Sequence, residues 1–218
     1  MKVSTDACLF GAWLASLSVP AARVLDIGCG TGLLMGMLAQ ASTARLYGID
    51  IDEDAAAQAT ENMEASPWAE RCVVIPGDVR TTPLPGPFDL ILSNPPFFAD
   101  QLKSPDARSN LARHSTALDL ETLAGVMAAH LQPEGYTAVL LPHERADDWL
   151  VQGGMQGWRL VRRLDIRSSA AHPPLRACLL MQQGYAGAAA QEWLDIRQSG
   201  GHYTERATEL LKPYYLYL

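Results

Sequence analysis

The chain has 218 residues, enough for one domain with a full hydrophobic core, and its 48% hydrophobic and 19% charged content excludes a disordered chain. No apolar run approaches the ~20 residues that span a bilayer and no signal-peptide pattern opens the chain, so the expected location is the cytoplasm. A net charge of −7 argues against a non-specific nucleic-acid binder, and Cys8, Cys29, Cys72 and Cys178 lack the paired spacing of a zinc site, so no metal is expected.

The first strand is read in RVLDIG (23–28), followed by a helix in GLLMGMLAQAS and a second strand in ARLYGID. A helix over DEDAAAQATENMEAS opens with acidic residues that suit its N-terminal dipole, and Asp52 is placed to cap it. CVVIPGD and FDLILS are two more strands. The stretch from Phe98 to Leu118 is long for a connection between sheet elements, and such loops are often functional. A helix in LDLETLAGVMAAHLQPEG is capped by Asp119 and ended by Pro133 and Gly135. YTAVLLP is a fifth strand and ERADDWLVQGGMQGW a helix. Strand-like runs at about 158–167 and 174–182 lack a helix between them, and YAGAAAQ (185–191) reads as a loop. This alternation predicts a doubly wound α/β fold: a mostly parallel, seven-stranded sheet with an antiparallel hairpin at one edge.

Charge is unevenly placed along the chain. Residues 1–98 carry 5 Lys/Arg and 11 Asp/Glu, giving −6; residues 99–218 carry 12 and 13, giving −1. The run RLVRRLDIR (Arg159, Arg162, Arg163, Arg167) fits either a local basic face or a solvated, arginine-rich strand edge.

Candidate site residues fall at the carboxyl ends of the strands, where ligands bind in such sheets. Gly28, Gly30 and Gly32 lie in VLDIGCGTGLL between the first strand and its helix. The sixth position from Gly28 is Leu33 and from Gly30 it is Met35, so the dinucleotide fingerprint fails in both registers. Asp26 precedes the glycines; a carboxylate there repels a pyrophosphate and suits a cation. The ligand indicated is a nucleoside that carries positive charge and no phosphates. Asp50 ends the second strand, where a carboxylate reaches both ribose hydroxyls, and Asp78 follows the third.

The fourth strand runs into Asn94-Pro95-Pro96-Phe97. This run resembles the (Asn/Asp)-Pro-Pro-(Tyr/Phe/Trp) motif of amino-methyltransferases, and the resemblance implies that the amide oxygen of Asn94 and the carbonyl of Pro95 accept the two N–H groups of a planar amine, directing its lone pair at an electrophile. The prolines hold that carbonyl in place, which is preorganised electrostatics, and Phe97 is suited to stack on the planar group.

VLDIGCGTG resembles the first motif of class I S-adenosylmethionine-dependent methyltransferases, and Asn-Pro-Pro-Phe resembles the catalytic wall of those that methylate amino groups. The resemblance implies a Rossmann-like fold, S-adenosyl-L-methionine as cofactor and Asn94, Pro95, Pro96 and Phe97 as catalytic residues. MKVSTDACLFGAW (1–13), DEDAAAQATENMEASPWAERC and the tail HYTERATELLKPYYLYL, with Tyr203, Tyr214 and Tyr215, are similar to bacterial tRNA1(Val) adenine-N6-methyltransferases. That similarity covers essentially the whole chain as a single domain over 1–218. It implies cofactor contacts from Thr5, Asp6, Asp26, Gly28, Cys29, Gly30, Gly32, Asp50, Ile51, Asp78, Val79 and Asn94. The target it implies is the adenine 3′ of the anticodon in a valine tRNA, flipped from its stack, with Lys103, Arg108, Arg113 and His114 near the RNA. The chain is expected to act as a monomer, without metal or membrane.

Two departures from that family stand out: Phe97 occupies the usual tyrosine position, and family members generally carry a segment upstream of the Lys-Val run. Asn-Pro-Pro-Phe also occurs in rRNA guanine-N2 methyltransferases, which would show an extra domain, and Asn-Pro-Pro-Tyr in protein-glutamine methyltransferases, which carry an N-terminal helical domain. A non-catalytic RNA- or protein-binding relic is the alternative of a different class.

Overall fold

The computed structural model describes residues 4–95 and 119–217. It begins with α1 (Thr5–Ser16), β1 (Arg23–Ile27), α2 (Leu33–Ala41), β2 (Arg45–Asp50), α3 (Glu53–Glu64), β3 (Cys72–Pro76) and β4 (Phe88–Ser93). After residue 118 come α4 (Leu120–His130), β5 (Leu131–Pro142), α5 (Ala146–Met155), β6 (Trp158–Arg167), β7 (Pro174–Gln183), β8 (Ala190–Asp195) and α6 (Glu205–Leu211).

The strands form one sheet in the order β3-β2-β1-β4-β5-β7-β6-β8. β1 pairs in parallel with β2 and β4, β2 with β3, and β4 with β5. The order reverses between β1 and β4, so their carboxyl ends open at the topological switch point. The antiparallel hairpin is present, with β7 lying between β5 and β6.

Among the described residues the sheet has eight strands where seven were expected, because β8 pairs in parallel with β6. Ala190, a weak strand former, and Gln191, both read as the end of a loop, are drawn into the ladder opposite Arg162 and Arg163. α4 ends at His130 rather than at Pro133, since Leu131 already pairs with Phe88 of β4.

Local chemistry explains the helix starts. The Asp52 carboxylate accepts from the N–H groups of Asp54 and Ala55, and the Asp119 carboxylate from that of Thr122 at 2.6 Å. Ser4 caps α1 in the same way, accepting from Ala7 at 3.2 Å. α1 is buried continuously from Ala7 to Leu14, because it is packed against α2, α6 and the sheet. Hence its apolar residues run nearly all round the helix.

The core has two layers. On one face Phe10, Trp13, Leu38 and Leu211 pack on β1, β5, β6 and β7; on the other Leu123, Met127, Trp149 and Trp158 pack over Ile91, Val139 and Leu179. Among the described residues no helix is long and apolar enough to cross a membrane.

Candidate active site

Asp26 sits one residue before the end of β1 and is 1% exposed, and neither carboxylate oxygen has a hydrogen-bond partner among the described residues. Burial, and secondarily the charge of nearby Asp50, pushes its carboxyl up to about 8. A buried, unpaired carboxylate is costly, and a cationic ligand would relieve that cost.

The glycine turn is anchored on β2. Gly28 (φ 71°) and Gly32 (φ 79°) occupy the left-handed region that glycine reaches without a Cβ clash. The N–H groups of Gly28 and Cys29 both donate to the Ile49 carbonyl, at 2.8 and 3.1 Å. Asp50 completes the tether: Oδ2 accepts from Gly30 N at 2.7 Å and Oδ1 from Asp52 N at 3.0 Å. Beside it Ile51 presents an exposed apolar side chain. Burial, then Asp26 and Asp50, raises the Cys29 thiol far above its ordinary value, so Cys29 packs as a neutral thiol and is no nucleophile.

Gly48 belongs to the same construction and was not singled out from the sequence. A Cβ there would lie 2.4 Å from Met35 Sδ and 2.9 Å from Cys29 Sγ, so its absence lets the turn seat against β2. An isolated glycine inside a strand is the signal that would have found it.

Across the switch point, β4 delivers Ser93, Asn94 and Pro95 beside the turn. Asn94 Oδ1 is buried with no hydrogen-bond partner among the described residues. An acceptor in that state suits an N–H donor from a ligand. Ser93, also unremarked in the sequence, is 1% exposed and donates to the Ile27 carbonyl. Pro96, Phe97, Lys103, Arg108, Arg113 and His114 lie outside the described residues, as does the stretch 98–118.

The remaining candidates surround this centre. Asp78 follows β3, but its carboxylate is engaged by the Arg80 guanidinium at 2.5 to 2.9 Å and by the Arg80 N–H at 2.9 Å. Those bonds hold it below the usual carboxylate range. Neighbouring Val79 is buried in the core. Asp6, in the first turn of α1, accepts from Arg176 Nε at 3.1 Å, and Arg176 pairs with Pro142 at the carboxyl end of β5. Thr5 opens α1, and Tyr214 and Tyr215 pack against the core cluster that includes Cys8, Leu9 and Phe10, so the C-terminal tail docks beside α1. Among the described residues no group of three or more His, Cys, Asp or Glu could hold a metal ion.

The methyltransferase small domain family matches residues 11–137. The tRNA1(Val) (adenine(37)-N6)-methyltransferase of Phocaeicola vulgatus is 38% identical over 99% of this chain and 91% of its own length. A predicted O-methyltransferase, protein Atu636 of Agrobacterium tumefaciens, superposes with TM-score 0.73 over 97% of this chain and 98% of its own, at 18% identity. Magnesium protoporphyrin IX methyltransferase of Synechocystis PCC 6803, solved with bound S-adenosylmethionine, superposes with TM-score 0.57 over 83% of this chain and 78% of its own, at 19% identity. At those identities the two structures establish the fold alone. Sequence goes further than fold: the chain belongs to the tRNA1(Val) (adenine(37)-N6)-methyltransferase family, built on the methyltransferase small domain.

Proposed function

We propose that the chain is a single methyltransferase domain that transfers the methyl group of S-adenosylmethionine to N6 of the adenine 3′ of the anticodon in a valine tRNA. It acts on a flipped base, as a monomer in the cytoplasm. The observation that carries this reading is the buried Oδ1 of Asn94 and the buried Asp26 carboxylate, both without a partner among the described residues, at the switch point of a methyltransferase sheet. An amine-orienting acceptor and a cation-binding acid are the two polar features that this chemistry needs.

When bound, the cofactor supplies an electrophilic methyl on a sulfonium. Asp26 would face its positive charge, the turn from Gly28 to Gly32 would admit it close to the backbone, and Asp50 would accept from the ribose hydroxyls. Ile51 and Val79 would flank the nucleoside, with Thr5 and Asp6 on the α1 side of the pocket. Asp78 reaches the adenine amino group only by giving up part of its contact with Arg80.

On the substrate side, Asn94 Oδ1 and the Pro95 carbonyl would each accept one N–H of the target amine. Holding both hydrogens there would orient the nitrogen lone pair toward the electrophile. Holding the two groups in line contributes through proximity, and a fixed acceptor pair contributes through electrostatics that need no reorganisation. Pro96 stiffens the clamp and Phe97 stacks on the base, which for an extruded base contributes roughly 1–3 kcal/mol.

Incubation with total unmodified tRNA and labelled S-adenosylmethionine, followed by nucleoside mass analysis, tests the proposal. N6-methyladenosine in valine tRNA is the expected product. N2-methylguanosine, or no labelled nucleoside, overturns it.

A further inference from the structure

The arginine-rich run noted in the sequence forms β6, and the sheet register carries its far end to the level of the candidate active site. Ser93, Val139, Leu179, Arg163 and Gln191 occupy one row across β4, β5, β7, β6 and β8. Two residues further toward the carboxyl edge, the row holds Leu141, Ala177, Asp165 and Trp193. Trp193 therefore stands just past the level of Asn94, four strand spacings away, or about 19 Å.

Trp193 is 47% exposed, an unusual state for an indole on a strand. The Arg167 guanidinium lies 5.4 Å from its ring centroid, and the Asp195 carboxylate fixes that guanidinium through an ion pair. Next to it Arg163 is held by buried Asp165 at 2.9 Å, with His143 Nε2 3.1 Å from Arg163. β6 carries four arginines, of which Arg162, Arg163 and Arg167 are ion-paired with Glu192, with Asp165 and Asp147, and with Asp195, so the strip is a set of fixed ion pairs and not a patch of free positive charge. The result is a rigid, half-exposed aromatic plane backed by a fixed cation, in polar surroundings.

We infer that Trp193 and Arg167 form a stacking platform for an unpaired nucleotide of the substrate RNA, several nucleotides from the base delivered to Asn94. This rests on the methyltransferase reading above and extends it to RNA placement. An RNA loop with one base extruded has unstacked neighbours within reach, and an aromatic face beside arginine takes any base. A protein partner would call for a wider apolar patch, whereas Trp193 is bordered by Gln191, Asp195 and Arg163.

Fluorescence anisotropy with a labelled valine-tRNA anticodon stem-loop tests the platform, using wild type, Trp193→Ala and Trp193→Phe. Wild-type methyl transfer to tRNA, melting temperatures and cofactor affinities are measured in parallel. Trp193→Ala should weaken RNA binding roughly tenfold, with cofactor affinity and melting temperature unchanged, and Trp193→Phe should keep most of the affinity. Wild-type RNA affinity in Trp193→Ala, alongside normal wild-type methylation, overturns the platform alone. A wild type that neither binds nor methylates RNA overturns the parent reading and the platform with it. A self-associated form that Trp193→Ala disperses without affecting RNA binding assigns the surface to a second copy of the chain, and also overturns it.

Discussion

Ser93 Oγ donates a 2.8 Å hydrogen bond to the carbonyl of Ile27, its register partner across β4 and β1. This is the last rung before both strands part: Gly28 turns away into the left-handed region and Asn94 leaves the sheet on the other side. One buried hydroxyl therefore ties the glycine turn to the Asn94-Pro95 segment, and under the proposed mechanism it would set the separation of donor methyl and acceptor nitrogen.

Ser93→Ala should cost about 1–3 kcal/mol in urea unfolding, because it strips a buried carbonyl of its partner. Turnover should fall more than cofactor affinity does, and Ser93→Thr should restore both. Equal losses in turnover and cofactor binding would show that the bond merely stabilises the sheet.

Asp50→Ala removes the acceptor that holds Gly30 as well as the proposed ribose contact. Calorimetric titration should show S-adenosylmethionine affinity weakened on the order of 10–100-fold, from bonds to one charged group. The melting temperature of the cofactor-free protein should move much less than cofactor affinity.

Asp26 predicts a pH dependence with a definite sign. Its folded carboxyl titrates at about 8, above the ordinary carboxylate value near 4. The folded protein therefore holds a proton that the unfolded chain has lost, and this stabilisation is complete below about pH 4 and gone once pH passes about 8. Binding of a cation should release that proton, so cofactor affinity should rise with pH toward 8. Asp26→Asn should flatten both profiles, read by thermal melts and by titration across the range.

Gly48→Ala should lower the melting temperature and cofactor affinity together, at a cost of roughly 1–3 kcal/mol, since the new methyl collides with Met35 and Cys29. Gly125→Ala is the contrasting case: it lies exposed in α4, where an added Cβ would meet nothing within 4 Å, and should stabilise by about 0.5–1 kcal/mol.

Much of the candidate site's placement was legible because its parts are local. Asp26, the glycines, Asp50 and Asn94 each sit at a strand end that the alternation of apolar runs already marks, and the caps at Asp52 and Asp119 are set by neighbours in sequence. What escaped depends on distant partners. α1 lacks a polar stripe because α6 covers it from the other end of the chain. Likewise β8 is a strand only because β6 is beside it. Ser93 looked like one more residue of a buried strand until its hydroxyl met Ile27, 66 positions away. Asp78 was legible in place but not in state, since the competing Arg80 is recognisable only once the turn is folded.

The proposed mechanism turns on Asn94 orienting the amine that receives the methyl group. Single-turnover transfer to valine tRNA at saturating S-adenosylmethionine, comparing wild type with Asn94→Ala, is the decisive comparison. N6-methyladenosine is expected from the wild type, and a rate loss on the order of 10²–10³-fold in the variant, with cofactor affinity little changed. Transfer by Asn94→Ala at the wild-type rate would refute that role.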